Sequence, residues 1–192
     1  MDSFINPDYE KETSIKKIQE AIDQKESFPS IILTNFFKKE FYKEKEKEIK
    51  KLHYKRESIP DQFSFAHAKA NPMHILDNKQ LLSLLSTILK RKVSSLNGEA
   101  YYFSWKDYTL LHDKNKENAG IDILIDFTEA WEESFGGQYI FKDIQGRYLK
   151  ILSVPNAVFI IERKQGVQKY LQYINNLAKG KKRYFLLATI KK

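Results

Sequence analysis

The chain has 192 residues, a formal net charge of +8 and no cysteine. A chain of this length usually forms one domain, which we expect to span residues 1–192 and to bury a core without covalent cross-links. The absence of cysteine excludes disulfides, thiolate metal sites and cysteine nucleophiles.

The N-terminus begins MDSFINPDYEKE, with acidic and polar residues where a secretory signal needs a basic start and an apolar run. No segment of the sequence approaches the ~20 apolar residues of a membrane span. We therefore expect a soluble, cytoplasmic protein that does not contact a membrane.

The excess of lysine and arginine favours a polyanionic partner such as nucleic acid or the ribosome, because basic side chains neutralise phosphates. Much of this charge lies in residues 38–56, where lysine and glutamate are mixed at spacings that suit ion pairs within a helix. In this segment the pattern favours a solvated helix face over a nucleic-acid interface.

The first half of the chain has the apolar periodicity of helices. We predict helices over residues 13–25, 38–54 and 78–90, with short strands at 30–33 and 62–66. The third helix has a broad leucine-rich stripe, so we expect it to be buried against a sheet.

From residue 95 onward the chain consists of short β-rich runs separated by turn residues. We predict eight strands, over residues 99–104, 108–111, 121–127, 138–141, 148–152, 157–161, 167–174 and 183–190. Helices followed by strands indicate an α+β domain with its helices packed on one side of antiparallel sheet structure. We expect residues 1–94 to form a helical support with one or two strands, and residues 95–192 to form a sandwich, barrel or jelly-roll core.

Several motifs occur in a characteristic order in this second half. They are Tyr108-Thr-Leu-Leu-His-Asp-Lys114, the apolar strand at 121–127, Phe135-Gly-Gly-Gln138, the segment from Val154-Pro-Asn to Glu162, and Arg183 in the last strand. In order and spacing the set resembles the prolyl hydroxylase branch of the iron- and 2-oxoglutarate-dependent oxygenases, including the ribosomal-protein prolyl hydroxylases. The resemblance covers about residues 28–190. It implies a double-stranded β-helix core, which is a cupin-like jelly roll, with the N-terminal helices packed on one sheet.

Enzymes of this family hold Fe(II) with two histidines and one carboxylate. The resemblance places His112 at the first ligand position, Lys114 at the carboxylate position and Lys169 at the second histidine. Asp113 would face away from the metal in a regular strand, and only a β-bulge would turn it inward. The other histidines, His53, His67 and His74, precede the barrel and are expected to be surface or hydrogen-bonded residues.

The resemblance also assigns a role in cosubstrate binding. Arg183 would pair with the distal carboxylate of 2-oxoglutarate, which suits the bidentate guanidinium group, or it would be an exposed charge in Lys-Lys-Arg. Tyr102 and Tyr108 would line the cosubstrate pocket, or would pack in the core with one polar end.

These features support three hypotheses. The first is a degenerate member of the fold, a binding or regulatory protein without iron, in which Lys114 and Lys169 attract a small carboxylate or the partner is a protein. The second is an active hydroxylase that uses Fe(II) and 2-oxoglutarate with altered ligands. The third is a basic nucleic-acid or ribosome-associated module, suggested by net charge and by the aromatic residues 101–103.

Overall fold

The computed structural model describes residues 3–24, 28–70, 73–110 and 118–191. Within these ranges the chain forms three α-helices, which are α1 (Glu12–Asp23), α2 (Lys39–Lys51) and α3 (Lys79–Ile88). The strands are β1 (Ser30–Leu33), β2 (Lys55–Ile59), β3 (Phe63–Lys69), β4 (Asn97–Ser104), β5 (Tyr108–Thr109), β6 (Gly120–Asp126), β7 (Tyr139–Lys142), β8 (Tyr148–Ile151), β9 (Ala157–Arg163), β10 (Gln168–Leu171) and β11 (Lys182–Lys191).

The strands form two antiparallel sheets. The large sheet has the order β1-β9-β6-β11-β4-β3-β2, with β5 also paired to β3, and the small sheet has the order β10-β7-β8. The two sheets meet where the backbone amide of Leu171 on β10 donates to Thr109 Oγ1 on β5, at 2.6 Å. Two facing antiparallel sheets whose order is not the chain order are the arrangement of a jelly roll, so the predicted double-stranded β-helix is confirmed.

Successive side chains of a strand point to opposite faces of the sheet, and both faces of the large sheet carry buried side chains. On β11, Leu186, Ala188 and Ile190 belong to a hydrophobic cluster that also contains the buried residues of α1 and α3. Phe185, one residue along, belongs to a second cluster with residues of the small sheet. The helices therefore pack on one face, as predicted, and the other face encloses a space between the sheets.

Strand β2 is the main element that the sequence did not reveal. The predicted second helix ran to residue 54, but α2 ends at Lys51 and the chain enters the edge strand Lys55–Ile59. The residues of β2 are mostly exposed and charged, as is common on edge strands, so they lack the apolar alternation that marks a strand.

The charged residues of α2 form the predicted ion pairs within the helix. Lys45 lies 2.9 Å from Glu48 and Lys43 lies 3.1 Å from Glu46, between ammonium nitrogen and carboxylate oxygen. None of the helices in the described ranges combines the length and apolar character needed to cross a bilayer.

The face of β6 that packs on the helices should carry much of the stability. Ile123 is fully buried there, whereas Ile32 on the edge strand β1 is 43% exposed. We expect Ile123→Ala to lower the free energy of unfolding by about 2–5 kcal/mol, because it leaves a cavity in a close-packed core. Ile32→Ala should lower it by less than about 1 kcal/mol. Urea denaturation of both variants checks this, and equal losses would contradict the assigned layers.

Candidate functional site between the two sheets

The space between the sheets contains charged side chains. Asp122 and Asp126 on β6, Arg163 on β9 and Arg183 on β11 are each at most 2% exposed. The aspartates are four residues apart on one strand and therefore lie on the same face. Burial of an ionised group costs free energy unless the group is paired, so the partners of these four residues define the site.

The first group is centred on the carboxylate of Asp122. Arg163 donates to it twice, from Nε to Oδ2 at 2.6 Å and from Nη2 to Oδ1 at 3.2 Å. The hydroxyl of Thr189 donates to Oδ1 at 2.6 Å, and the ammonium group of Lys169 lies 3.5 Å from Oδ2. The carboxylate of Asp122 therefore faces two cationic side chains, of which the arginine forms the bidentate pair.

A solvent-accessible cavity of about 490 Å³ adjoins this group. Its lining combines both signs of charge with amide and hydroxyl groups, from Lys69, Asn97, Gly98, Glu99, Tyr101, Lys169, Leu187 and Thr189. The hydroxyl of Tyr101 donates to Glu99 Oε2 at 3.0 Å, and the same oxygen lies 3.1 Å from His67 Nδ1. The cavity is therefore a polar, charged recess at one end of the space between the sheets.

The second group is the buried pair of Arg183 and Asp126. Arg183 Nη2 lies 3.5 Å from Asp126 Oδ2, and Nη1 donates to the carbonyl of Gly137. Asp126 also accepts from the backbone amides of Thr128 at 2.8 Å and Val154 at 3.2 Å. Burial raises the pKa of Asp126 and lowers the pKa of Arg183, and the attraction between them only partly offsets these shifts.

Aromatic rings fill the interior around Arg183. The ring of Phe185 lies 5.7 Å from that of Phe103 and 5.9 Å from that of Tyr139, centroid to centroid. The guanidinium group of Arg183 lies 5.5 Å from the centroid of Phe185. Along the inner face of β11, Phe185 and Leu187 separate Arg183 from Thr189, so the two charged groups occupy different parts of the interior.

Two predicted site residues, Tyr102 and Tyr108, pack against other tyrosine rings. Tyr102 lies on the opposite face of β4, where its ring contacts Tyr54 at 4.8 Å and Tyr184 at 5.7 Å. Tyr108 contacts Tyr173, with ring centroids 6.3 Å apart. Adjacent residues of a strand point to opposite faces, so Tyr102 does not share the inner face of β4 with Tyr101; a role of Tyr102 or Tyr108 in cosubstrate binding stays a prediction. Tyr101, one residue before Tyr102, is the tyrosine that lines the cavity.

The remaining assignments concern the metal. His112, Asp113 and Lys114 lie outside the described residues. Lys169 is on the inner face beside Asp122, and its ammonium group has donors but no lone pair to give to a metal. Across the described ranges no three histidine, aspartate or glutamate side chains converge as metal ligands. Lys169 therefore cannot act as the imidazole ligand that the sequence resemblance expects at its position.

Sequence reasoning missed Asp122, Asp126 and Arg163. The signal was present, because two aspartates four residues apart interrupt the apolar strand 121–127 and must share a face. An acidic residue facing the interior of a jelly roll requires a buried cation as its partner. The identity of that partner depends on strand order and could not be read from the motif.

Comparisons with known proteins bear on the fold. No protein-family profile matches the chain. A prolyl-4-hydroxylase from Pseudomonas putida is similar in structure, with a TM-score of 0.65 and 10% identity over 91% of this chain and 99% of that one.

Two further solved structures are similar in the same way. A Trichoplax adhaerens prolyl hydroxylase, in complex with a peptide fragment of the oxygen degradation domain of hypoxia inducible factor, has a TM-score of 0.67 and 13% identity, over 96% of each chain. A 2OG-Fe(II) oxygenase family oxidoreductase from Burkholderia pseudomallei has a TM-score of 0.68 and 7% identity, over 94% of this chain and 92% of that one. At such low identity these comparisons establish the fold, which is the prolyl-hydroxylase-like fold of the 2-oxoglutarate oxygenases that the sequence resemblance predicted.

The pair of Arg183 and Asp126 gives a stability prediction. Asp126→Asn should lower the free energy of unfolding by about 3–5 kcal/mol, because it leaves the guanidinium group buried without a counter-charge. Glu129→Gln, which removes the exposed partner of Lys43, is the matched control and should change it by less than about 1 kcal/mol. The measurement is urea denaturation, and a small effect of Asp126→Asn would show that Arg183 is not held by this carboxylate.

Proposed function

We propose that this chain, which has the fold of the iron- and 2-oxoglutarate-dependent oxygenases, is a degenerate, non-catalytic binding or regulatory protein that works without iron. The observation that carries the proposal is the position of Lys169. Its ammonium group is on the inner face of β10, 3.5 Å from the carboxylate of Asp122. The sequence resemblance assigns an iron-binding imidazole to this position.

Electrostatics around Asp122 support the absence of a metal. The carboxylate of Asp122 faces the guanidinium group of Arg163 at 2.6 Å and the ammonium group of Lys169 at 3.5 Å. A divalent cation at this carboxylate would have to compete with both cationic side chains. The resemblance adds a second lysine, Lys114, at the position of the carboxylate ligand.

The surroundings of Arg183 support the loss of the cosubstrate. Arg183 is fully buried, and its charge already faces the carboxylate of Asp126 at 3.5 Å. The rings of Phe103, Phe185 and Tyr139 pack in the same space. A molecule of 2-oxoglutarate would have to displace the rings to reach the guanidinium group, whose Nε and Nη2 form no hydrogen bond with a described residue.

A protein partner is part of this proposal. The Trichoplax adhaerens prolyl hydroxylase of the same fold was solved with a bound peptide, so the fold can present a peptide-binding surface. We propose that this chain retains binding of a protein or a small charged ligand after the loss of the metal chemistry.

Metal analysis is the first test. Protein purified without chelators and without a histidine tag should contain substoichiometric iron and manganese by mass spectrometry of the metals, and should release no succinate from 2-oxoglutarate with added Fe(II). One equivalent of iron or manganese that is lost in His112→Ala would contradict the proposal.

A restored ligand set is the second test. The double variant Lys114→Asp, Lys169→His replaces both ammonium groups by the ligands that iron requires, so it should bind Mn(II) in calorimetry where the wild-type protein does not. The matched control combines Lys114→Asp with Gln168→His, which puts the imidazole on the same strand but on its opposite face. Equal Mn(II) binding by the wild-type protein, or by the control, would overturn the assignment of Lys169.

A further inference from the structure

Lysines and aromatic rings meet at one end of the large sheet. Strand β4 ends at Ser104, strand β11 begins at Lys182, and these two residues are paired in the register of the strands. The turn that follows β4 and the segment that precedes β11 therefore lie side by side. We call the charged and aromatic residues of these two segments the basic edge, which consists of Trp105, Lys106, Lys179, Lys181 and Lys182.

The indole ring of Trp105 is the aromatic part of the basic edge. The ammonium groups of Lys106 and Lys179 lie 4.5 and 5.3 Å from the centroid of this ring. The ring is half-buried, so the fold fixes its position while part of it stays accessible. A ring flanked by lysines suits a nucleic-acid base, because every base has a π-face that stacks and the neighbouring phosphates pair with the cations.

Two further lysines extend the positive charge along the edge. Lys181 lies 4.6 Å from the ring centroid of Phe135, and Lys182 lies 4.4 Å from that of Tyr102. All four lysines of the basic edge are exposed, and none of them forms an ion pair within residues 3–24, 28–70, 73–110 and 118–191. Their charges are therefore accessible to an anion in solution.

Most carboxylates of the adjoining segments have cations of their own. Their ion pairs are Asp107 with Arg56, Glu129 with Lys43, and Glu133 with Lys150. Glu132 forms none in the described part of the chain, and its Oε2 accepts from the hydroxyl of Ser134 at 3.4 Å. Four lysines next to so little uncompensated negative charge favour a polyanionic partner.

The backbone of Lys106 is an independent observation. Its φ is 73°, in the left-handed region that favours glycine and asparagine. A lysine in this conformation is strained, and residues strained in this way cluster at sites where the side chain has a function. Here the strained residue holds its ammonium group over the ring of Trp105.

The basic edge combines an accessible ring with several cations. We propose that it binds single-stranded nucleic acid, with one base stacked on Trp105 and the flanking phosphates on the four lysines. A single strand is favoured over a duplex, because its bases are free to stack on a side chain. An acidic protein segment would use the lysines but not the indole ring. The inference goes beyond the proposed function and does not depend on the loss of iron, because it uses no residue of the interior ion pairs.

Three fluorescein-labelled probes test the inference by fluorescence anisotropy at low salt. Deca-thymidylate carries bases and phosphates, an abasic strand of the same length carries the phosphates alone, and deca-glutamate carries carboxylates. Deca-thymidylate should bind at least about five-fold more tightly than the abasic strand, which is the lower end of what stacking one base on a ring contributes. Equal binding of the two strands, tighter binding of deca-glutamate, or no binding of deca-thymidylate at micromolar protein would overturn the inference.

Variants of Trp105 identify the stacking side chain. Trp105→Ala should weaken deca-thymidylate at least about five-fold and leave the abasic strand unchanged. Trp105→Tyr keeps a ring on which a base stacks, so it should retain most of the affinity. An unchanged affinity for deca-thymidylate in Trp105→Ala would overturn the inference, and the probe series on the wild-type protein decides the question if this variant does not fold.

A variant of Lys106 separates binding from stability. Lys106→Asn should weaken both strands and reduce the slope of log affinity against log salt by about 0.7, the value for one phosphate contact on a single strand. It should not lower the urea midpoint, because asparagine adopts the left-handed conformation more readily than lysine. Lys17→Gln, which removes the same charge from an exposed position of α1, is the matched control and should leave both affinities unchanged. Equal weakening by the two variants would contradict binding at the basic edge.

Discussion

The carboxylates of β6 must find their counter-charges inside the space between the two sheets. Asp122 takes Arg163 in a bidentate ion pair, and Asp126 faces Arg183 across 3.5 Å. Both aspartates are fully buried, so water cannot solvate their charge. The interior of this jelly roll is therefore organised by internal ion pairs, one of which adjoins the cavity next to Lys169.

The ion pairs of Asp122 and Asp126 differ in whether they adjoin a solvent-accessible cavity. Burial lowers the pKa of Arg183 and raises the pKa of Asp126, which indicates a pair whose desolvation exceeds its mutual attraction. Aromatic rings surround this pair, and Nε and Nη2 of Arg183 form no hydrogen bond with a described residue. The group around Asp122 is open, because Lys169 connects it to a solvent-accessible cavity. The chemistry of the protein is therefore expected at that end of the barrel.

The apolar pattern of the sequence predicted most helices and strands and the fold. The partners of the charged residues in the site depend on which strands pair, which the pattern does not show. The leucine stripe of α3 and the apolar run of β6 were sufficient to place both elements near their observed bounds. The partner of Arg183 could not be predicted, because Asp126 is 57 residues away in sequence and adjacent only through the pairing of β6 with β11. The face on which Tyr102 lies also depended on the exact strand bounds, since a shift of one residue exchanges the two faces of a strand. Strand β2 was missed because an exposed, charged edge strand has no apolar alternation.

Anomalous diffraction tests the proposed loss of the iron site most directly. The crystals are grown without metal and then exposed to Mn(II) in the absence of oxygen. We predict no anomalous peak between the sheets and an ammonium group of Lys169 beside the carboxylate of Asp122. A strong peak coordinated by His112, with a carboxylate and a second imidazole, would contradict the proposed loss of the iron site.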